Sequence, residues 1–146
     1  LRGNLWTIWE ESLEPKKIKF NHDKVSVSKK DVLRGIHGDF KSHKYITVLY
    51  GEIFFVIADC RNLENNLNNI PFETMNLSGD RPLSILLPPG FGNAFFVRSD
   101  SAVFHYKWSY KGPYPDVEDQ FTVKWNDPRL NISWPHNKPI LQERDK

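Results

Sequence analysis

The chain has 146 residues, about one domain, with 39% hydrophobic and 26% charged residues. That balance excludes a disordered or collagen-like chain, and the longest apolar runs, Ile53 to Ala58 and Ile85 to Leu87, fall far short of the roughly 20 residues a membrane helix needs. A net charge of +2, from 20 Lys+Arg against 18 Asp+Glu with the basic residues dispersed, argues against a dedicated nucleic-acid or membrane binder.

The distinctive figure is 14% aromatic residues, which favour pleated, half-buried surfaces and point to β structure. The single cysteine, Cys60, cannot form an internal disulfide, which argues for a reducing, cytoplasmic compartment. No charged-then-apolar leader opens the chain, and a start at Leu1 rather than Met predicts further native residues before it.

In chain order, Asn4 to Trp9 is short, apolar and strand-like. Lys44 to Tyr50 and Glu52 to Asp59 flank Gly51 and read as a tight hairpin. The segment Asn62 to Asn69 accommodates one helical turn, and Asn76 to Pro82 is a turn cluster. Leu83 to Leu87 reads as a buried strand ending at Pro88-Pro89-Gly90. Ala94 to Arg98 and Ala102 to Tyr110 flank Ser-Asp-Ser as a second hairpin. In its second arm Val103, His105, Lys107 and Ser109 alternate with Phe104, Tyr106, Trp108 and Tyr110, so both faces carry chemistry. Gln120 to Trp125 reads as one more strand, and Asp127 to Lys146, with three prolines, as an extended wrap. Some eight short strands with little helix and no composition break predict an all-β chain, one β-sandwich or small barrel over residues 1–146.

The five histidines are His22, His37, His43, His105 and His136. A metal-binding jelly roll needs two histidines one residue apart, a nearby carboxylate and a third histidine on a later strand. Here Gly38-Asp39 follow His37, and Asn93 stands where the third ligand would sit, so no metal is expected. Arg34 and His37 lie three apart in Val32-Leu-Arg-Gly-Ile-His-Gly-Asp39 and would face opposite sides of a regular strand. A bend at Gly35 is needed to bring both to one pocket. On spacing alone, His37 reads as an incidental strand histidine and Tyr106 as a core tyrosine. There is no nucleophile elbow and no phosphate-binding glycine loop, and Cys60, inside an apolar strand, reads as packing.

Arg2-Gly3, Ser26-Val-Ser28, Val32-Leu-Arg-Gly-Ile-His37, Lys44-Tyr45, Gly51, Asp59-Cys-Arg61, Pro88-Pro-Gly-Phe-Gly92, Ser99-Asp100, Tyr106-Lys107, Trp125-Asn-Asp-Pro128, Ile132 to Pro135 and Asp145 occur in a familiar order. Together they resemble the dTDP-4-dehydrorhamnose 3,5-epimerases, a cupin-fold family acting on nucleotide-linked 4-keto sugars. The resemblance implies a cupin jelly roll, no cofactor and a homodimer. It implies His37 as the base, Asp145 as the residue holding its ring, and Tyr106 as the acid on the other face of an enolate. It implies substrate contacts from Lys44, Arg34, Asn93 and Arg2, the last with the diphosphate and across a dimer interface. Gly-Ile-His-Gly-Asp and Gly-Phe-Gly-Asn are most similar to a branch of capsule-building bacteria acting on GDP-linked 4-keto-heptoses, with inversion at C3 alone or at C3 and C5. Many rhamnose-pathway members carry His at Asn93 and Asp at Phe55; the latter change is expected to remove a charge from the pocket. The alternatives are a dTDP-4-keto-6-deoxyhexose 3,5-epimerase, a 3,4-ketoisomerase and a non-catalytic sugar-binding jelly roll. Tyr45, Tyr110 and Tyr114 are the first rings to consider as a platform for the nucleotide base.

Overall fold

A computed structural model of the chain describes residues 2–13, 18–65 and 68–146. Among these, nine strands run in the order β1 (His22–Lys29), β2 (Leu33–Gly38), β3 (His43–Tyr50), β4 (Glu52–Asp59), β5 (Phe72–Ser78), β6 (Ser84–Leu87), β7 (Phe91–Val97), β8 (Ser101–Ser109) and β9 (Phe121–Thr122). Three single-turn 3-10 helices, Glu11–Leu13, Val117–Asp119 and Glu143–Asp145, complete the described elements. All strand pairs are antiparallel and form two facing sheets, β1-β8-β3-β6 and β5-β4-β7-β2-β9. The pattern of short strands predicts an all-β sandwich or small barrel, and the two sheets form the jelly-roll sandwich that the family resemblance implies.

Neither expected hairpin forms. Gly51 makes a tight reversal at φ +76°, where an added Cβ would stand 2.1 Å from the Ser101 carbonyl oxygen, but β3 and β4 then enter different sheets. β7 and β8 part in the same way across Ser-Asp-Ser. Both reversals are corners. Each flanking strand has apolar residues to bury between the sheets and finds more partners on separate sheets than on its sequence neighbour. Only β4 and β5 are both consecutive and paired.

The inward residues of both sheets, including Ile46, Val48, Ile53, Phe55, Phe95, Val97 and Phe104, make the central core. Phe95 and Phe104 stack at 4.6 Å between centroids. A second core lies on the outer face of the five-stranded sheet, where Ile36, Val56, Ala58, Cys60 and Ala94 meet Val123 and Leu130 of the C-terminal wrap. Phe54 packs edge-on against Trp134 there, 5.6 Å between centroids, so β4 buries both of its faces. The thiol of Cys60 is fully buried, which pushes its pKa up to about 11 and leaves it a packing residue.

Asn4 to Trp9 forms no strand. Its end lies on the four-stranded sheet, where the Ile8 carbonyl accepts from Tyr45 Oη at 3.0 Å and Ser84 Oγ at 3.1 Å, and Lys107 Nζ sits 4.7 Å from the Trp9 ring. Tyr45 is thereby committed to the outer face and is no base platform. The expected turn at Asn62 to Asn69 is hydrogen-bonded at its start, Leu63 N to Cys60 O and Asn65 N to Asn62 O, while residues 66 and 67 lie outside the described residues. β1 and β5, both edge strands, were not anticipated as strands. On β1 the valines are outside, Val25 at 59% and Val27 at 67% exposure, and the polar residues face in.

Candidate active site

A cavity of about 230 Å³ opens between the sheets. One wall is β2 and β7. There the ladder slips between Arg34 and His37, so residues three apart reach the same cavity, as the bend expected at Gly35 requires. Gly35 has φ +117°, and an added Cβ would meet the Asn93 carbonyl oxygen at 2.5 Å and Ala94 Cβ at 2.6 Å. Only glycine lets the two strands approach this closely.

The C-terminal wrap delivers the partner of His37. Ile140 bridges Val32 in parallel register, Leu33 N donates to Ile140 O at 3.0 Å, and Ile140 N donates to Asp31 O at 2.8 Å. Asp145, with 0% exposure, then reaches His37 across 108 residues of chain: Oδ1 lies 2.5 Å from Nε2. Arg144 Nε stands 3.0 Å from the same ring nitrogen, and Arg144 Nη2 donates to Gln120 Oε1 at 3.2 Å. One nitrogen cannot donate to Asp145 and accept from Arg144 together. The shorter bond to a buried carboxylate is the stronger, so the proton belongs on Nε2. Nδ1, which no described residue engages, is left as the basic nitrogen.

The opposite wall is β8 with β3 and β1. Phe104, Tyr106 and Trp108 point inward, whereas His105 and Lys107 bind Asp23 outside, at 2.7 and 2.8 Å. The alternation on β8 thus sorts its chemistry by face. The Tyr106 hydroxyl has no hydrogen-bond partner among the described residues, and Tyr106 lines the cavity. Burial pushes its pKa above the ordinary 10, against an opposing pull from Lys24, so it is a protonated donor at neutral pH.

Lys44 is almost fully buried at the cavity floor. Its Nζ lies 3.4 Å from the His37 carbonyl oxygen and 4.9 Å from the Trp108 ring centre, and burial lowers its pKa to about 8. Arg34 Nε donates to Ser28 Oγ at 2.9 Å, leaving the rest of the guanidinium for the cavity. Asn93 also lines the cavity. Arg2 is exposed and does not line the cavity of its own chain. Phe55 does not line it either: with 0% exposure it lies in the core against Phe104, so no pocket charge is at stake there.

Several cavity residues escaped the sequence reading. Lys24 donates to Tyr114 Oη and sits 4.4 Å from the centre of that ring, which stacks on Trp108 at 5.1 Å. Of the three rings considered as a base platform, Tyr114 alone lines the cavity. Ser26 Oγ and Trp108 Nε1, both on residues that line the cavity, are buried without partners among the described residues. Four cations, Lys24, Arg34, Lys44 and Arg144, line the cavity with no carboxylate among the described lining residues. That field suits a diphosphate. No group of three His, Cys, Asp or Glu side chains among the described residues is arranged to hold a metal ion.

Residues 1–146 match the family model described as dTDP-4-dehydrorhamnose 3,5-epimerase. A dTDP-4-dehydrorhamnose 3,5-epimerase of Shigella flexneri is 31% identical over 141 residues, spanning 94% of this chain and 75% of the relative. The crystal structure of dTDP-6-deoxy-D-glucose-3,5-epimerase from Legionella pneumophila in complex with dTDP-4-keto-L-rhamnose superposes with a TM-score of 0.76 at 32% identity, over 88% of this chain and 68% of that one. A 3'-monoepimerase from Streptomyces bikiniensis in complex with dTDP-quinovose gives a TM-score of 0.73 at 29% identity, over 86% of this chain; the present chain spans 63% of its length. With a matching cupin jelly roll and a family match along its whole length, this chain belongs to the dTDP-4-dehydrorhamnose 3,5-epimerase family of nucleotide-sugar isomerases.

Proposed function

We propose that this chain inverts C3 of a nucleotide-diphosphate-linked 4-keto sugar, with C5 as a second centre, by proton exchange through an enolate. The observation that carries the reading is the pairing of a carboxylate-held imidazole on one wall with a free tyrosine hydroxyl on the other, across a cavity lined by four cations. The C4 ketone acidifies the neighbouring C–H bonds. His37 Nδ1 removes the C3 proton, and the imidazolium is stabilised by Asp145. Lys44 Nζ supplies positive charge to the enolate oxygen, with the Asn93 amide as a second donor. Tyr106 returns a proton from the opposite face, which inverts the centre. Arg34 and Arg144 bind the diphosphate, and Tyr114 stacks on the base. A ketoisomerase or a binding module has no need of an acid and a base on opposed walls.

The comparisons name dTDP-linked ligands and substrates, and this favours a dTDP-4-keto-6-deoxyhexose over the GDP-heptose expected from Gly-Ile-His-Gly-Asp and Gly-Phe-Gly-Asn. Those two segments keep a GDP-4-keto-heptose as the second reading. The proposal includes a cytoplasmic homodimer in which Arg2 reaches the partner's diphosphate. The test is proton NMR in heavy water with dTDP-4-keto-6-deoxyglucose and with a GDP-4-keto-heptose. Deuterium at C3 and C5 marks a double epimerase, and deuterium at C3 alone a single one. Stable C–H signals with both substrates overturn the reading.

A further inference from the structure

A second carboxylate, unused by the chemistry above, lies behind the cavity floor. Asp39, on the loop from β2 to β3, is 2% exposed and Lys44 is 5% exposed. Asp39 Oδ1 accepts the backbone N–H groups of Lys41 at 2.8 Å and Ser42 at 2.6 Å, which shapes the loop. Oδ2 has no hydrogen-bond partner among the described residues and stands 4.0 Å from Lys44 Nζ. The two oxygens therefore divide two tasks. At 4.0 Å the second acts on Lys44 through charge rather than through a directed bond.

The surroundings of Lys44 show why that charge matters. The His37 carbonyl faces it from β2 and the Trp108 ring from β8. The Cys60 thiol beyond β4 is uncharged at neutral pH, since burial pushes it up to about 11. The Arg144 guanidinium, from the 3-10 turn at Glu143–Asp145, opposes a second cation. Asp39 supplies the one formal negative charge acting on this ammonium among the described residues.

We infer that Asp39 is a positioning residue that acts through Lys44: its second carboxylate oxygen keeps the buried amine a cation, so that an ammonium and not a neutral amine faces the enolate. The inference rests on the epimerase reading for what the cation does. It adds a carboxylate whose removal changes the pH range of the enzyme rather than its acid or its base. Asp39→Asn keeps an acceptor for both loop N–H groups and removes only the charge.

The measurement is the titration of the Lys44 ¹³Cε resonance in chain carrying labelled lysine, identified by its loss in Lys44→Met. In the wild type it is expected to titrate near pH 8, where burial places it. In Asp39→Asn it is expected to titrate lower by about one pH unit or more. The basic limb of kcat/KM moves with it, and Lys44→Arg, always charged, removes that limb. Asp39→Ser, which also keeps a cap acceptor, carries the same expectation if the Asn variant does not fold. A Lys44 resonance that titrates unchanged in the folded variant overturns the inference. Deuterium uptake by the wild type tests the epimerase reading separately.

Discussion

Replacing Asp145 by Asn exchanges one oxygen for an amide group and leaves the side-chain volume almost unchanged in a site with 0% exposure. It removes the counter-ion of the imidazolium formed when His37 takes a proton. A unit charge about 4 Å from the ring's centre of charge, at an effective dielectric of about 20, contributes about 4 kcal/mol. At about 1.4 kcal/mol per decade, that is roughly a thousandfold in rate. Arg144 adds to the effect. With the carboxylate gone, its Nε, 3.0 Å from His37 Nε2, captures the lone pair there and drives the proton to Nδ1, where the base is needed. The expected result is a kcat about a thousandfold lower, with KM little changed, read as the rate of deuterium wash-in at C3 under saturating substrate. Asp145→Asn combined with Arg144→Gln is expected to recover part of kcat, because the competing donor is removed. A folded Asp145→Asn enzyme keeping more than about a tenth of wild-type kcat would refute the assignment of Asp145 as the residue that orients the base.

Tyr106→Phe is expected to keep exchange of the substrate C3 proton with solvent while inversion falls by at least about a hundredfold; equal losses of exchange and inversion would count against Tyr106 as the acid. Because burial raises the Tyr106 pKa above its ordinary value, wild-type activity should show little loss from this group below about pH 9, and a Tyr106-dependent limb near neutrality would contradict that. Gly35→Ala places a Cβ 2.5 Å from the Asn93 carbonyl oxygen at φ +117° and is expected to cost more than about 2 kcal/mol in chemical denaturation; wild-type stability would show that the strand approach is looser than described. Phe55→Asp buries a carboxylate beside Phe104 and is expected to destabilise by more than about 3 kcal/mol, whereas a stable variant with altered substrate preference would place position 55 in the site after all.

The strands with apolar runs or apolar alternation were the legible ones: β3, β4, β6, β7 and β8 lie within a few residues of their expected bounds. Their pairing was not legible. A glycine between two apolar runs signals a reversal but does not say whether the arms pair or part, and at Gly51 and Ser-Asp-Ser they part. β5 was hidden because an edge strand, exposed over much of its length, carries little apolar signal. β1 was hidden for a different reason. Its inner face lines a polar cavity, so Lys24 and Ser26 point in while Val25 and Val27 point out, against the usual hydrophobic rule. With β1 went Lys24 and Ser26, and Arg144 was missed because nothing local distinguishes a wrap residue that points into a site. The spacing of Arg34 and His37 did call for a bend at Gly35, and the ladder slips there. The pairing of His37 with Asp145, by contrast, came from family likeness alone; no periodicity links residues 108 apart.

The wrap after β8 has a further consequence. Beyond β9 it reaches the rest of the molecule through the pairing of Val123 with Ile36, the Ile70 N–H donated to the Arg129 carbonyl, the Leu130 and Trp134 contacts on the outer sheet face, the Ile140 bridge beside β2 and the bond between Asp145 and His37. None of these holds the two sheets together. The wrap is therefore a candidate for independent fraying, a local opening that costs less than melting the sandwich. Such an opening withdraws Asp145, Arg144 and Gln142 together and strands His37 without its counter-ion, while the circular dichroism of the sheets stays native. In a urea titration, catalytic turnover should accordingly vanish at a lower midpoint than the β signal. Ligand that bridges Arg34 on a strand to Arg144 on the wrap should draw the two midpoints together.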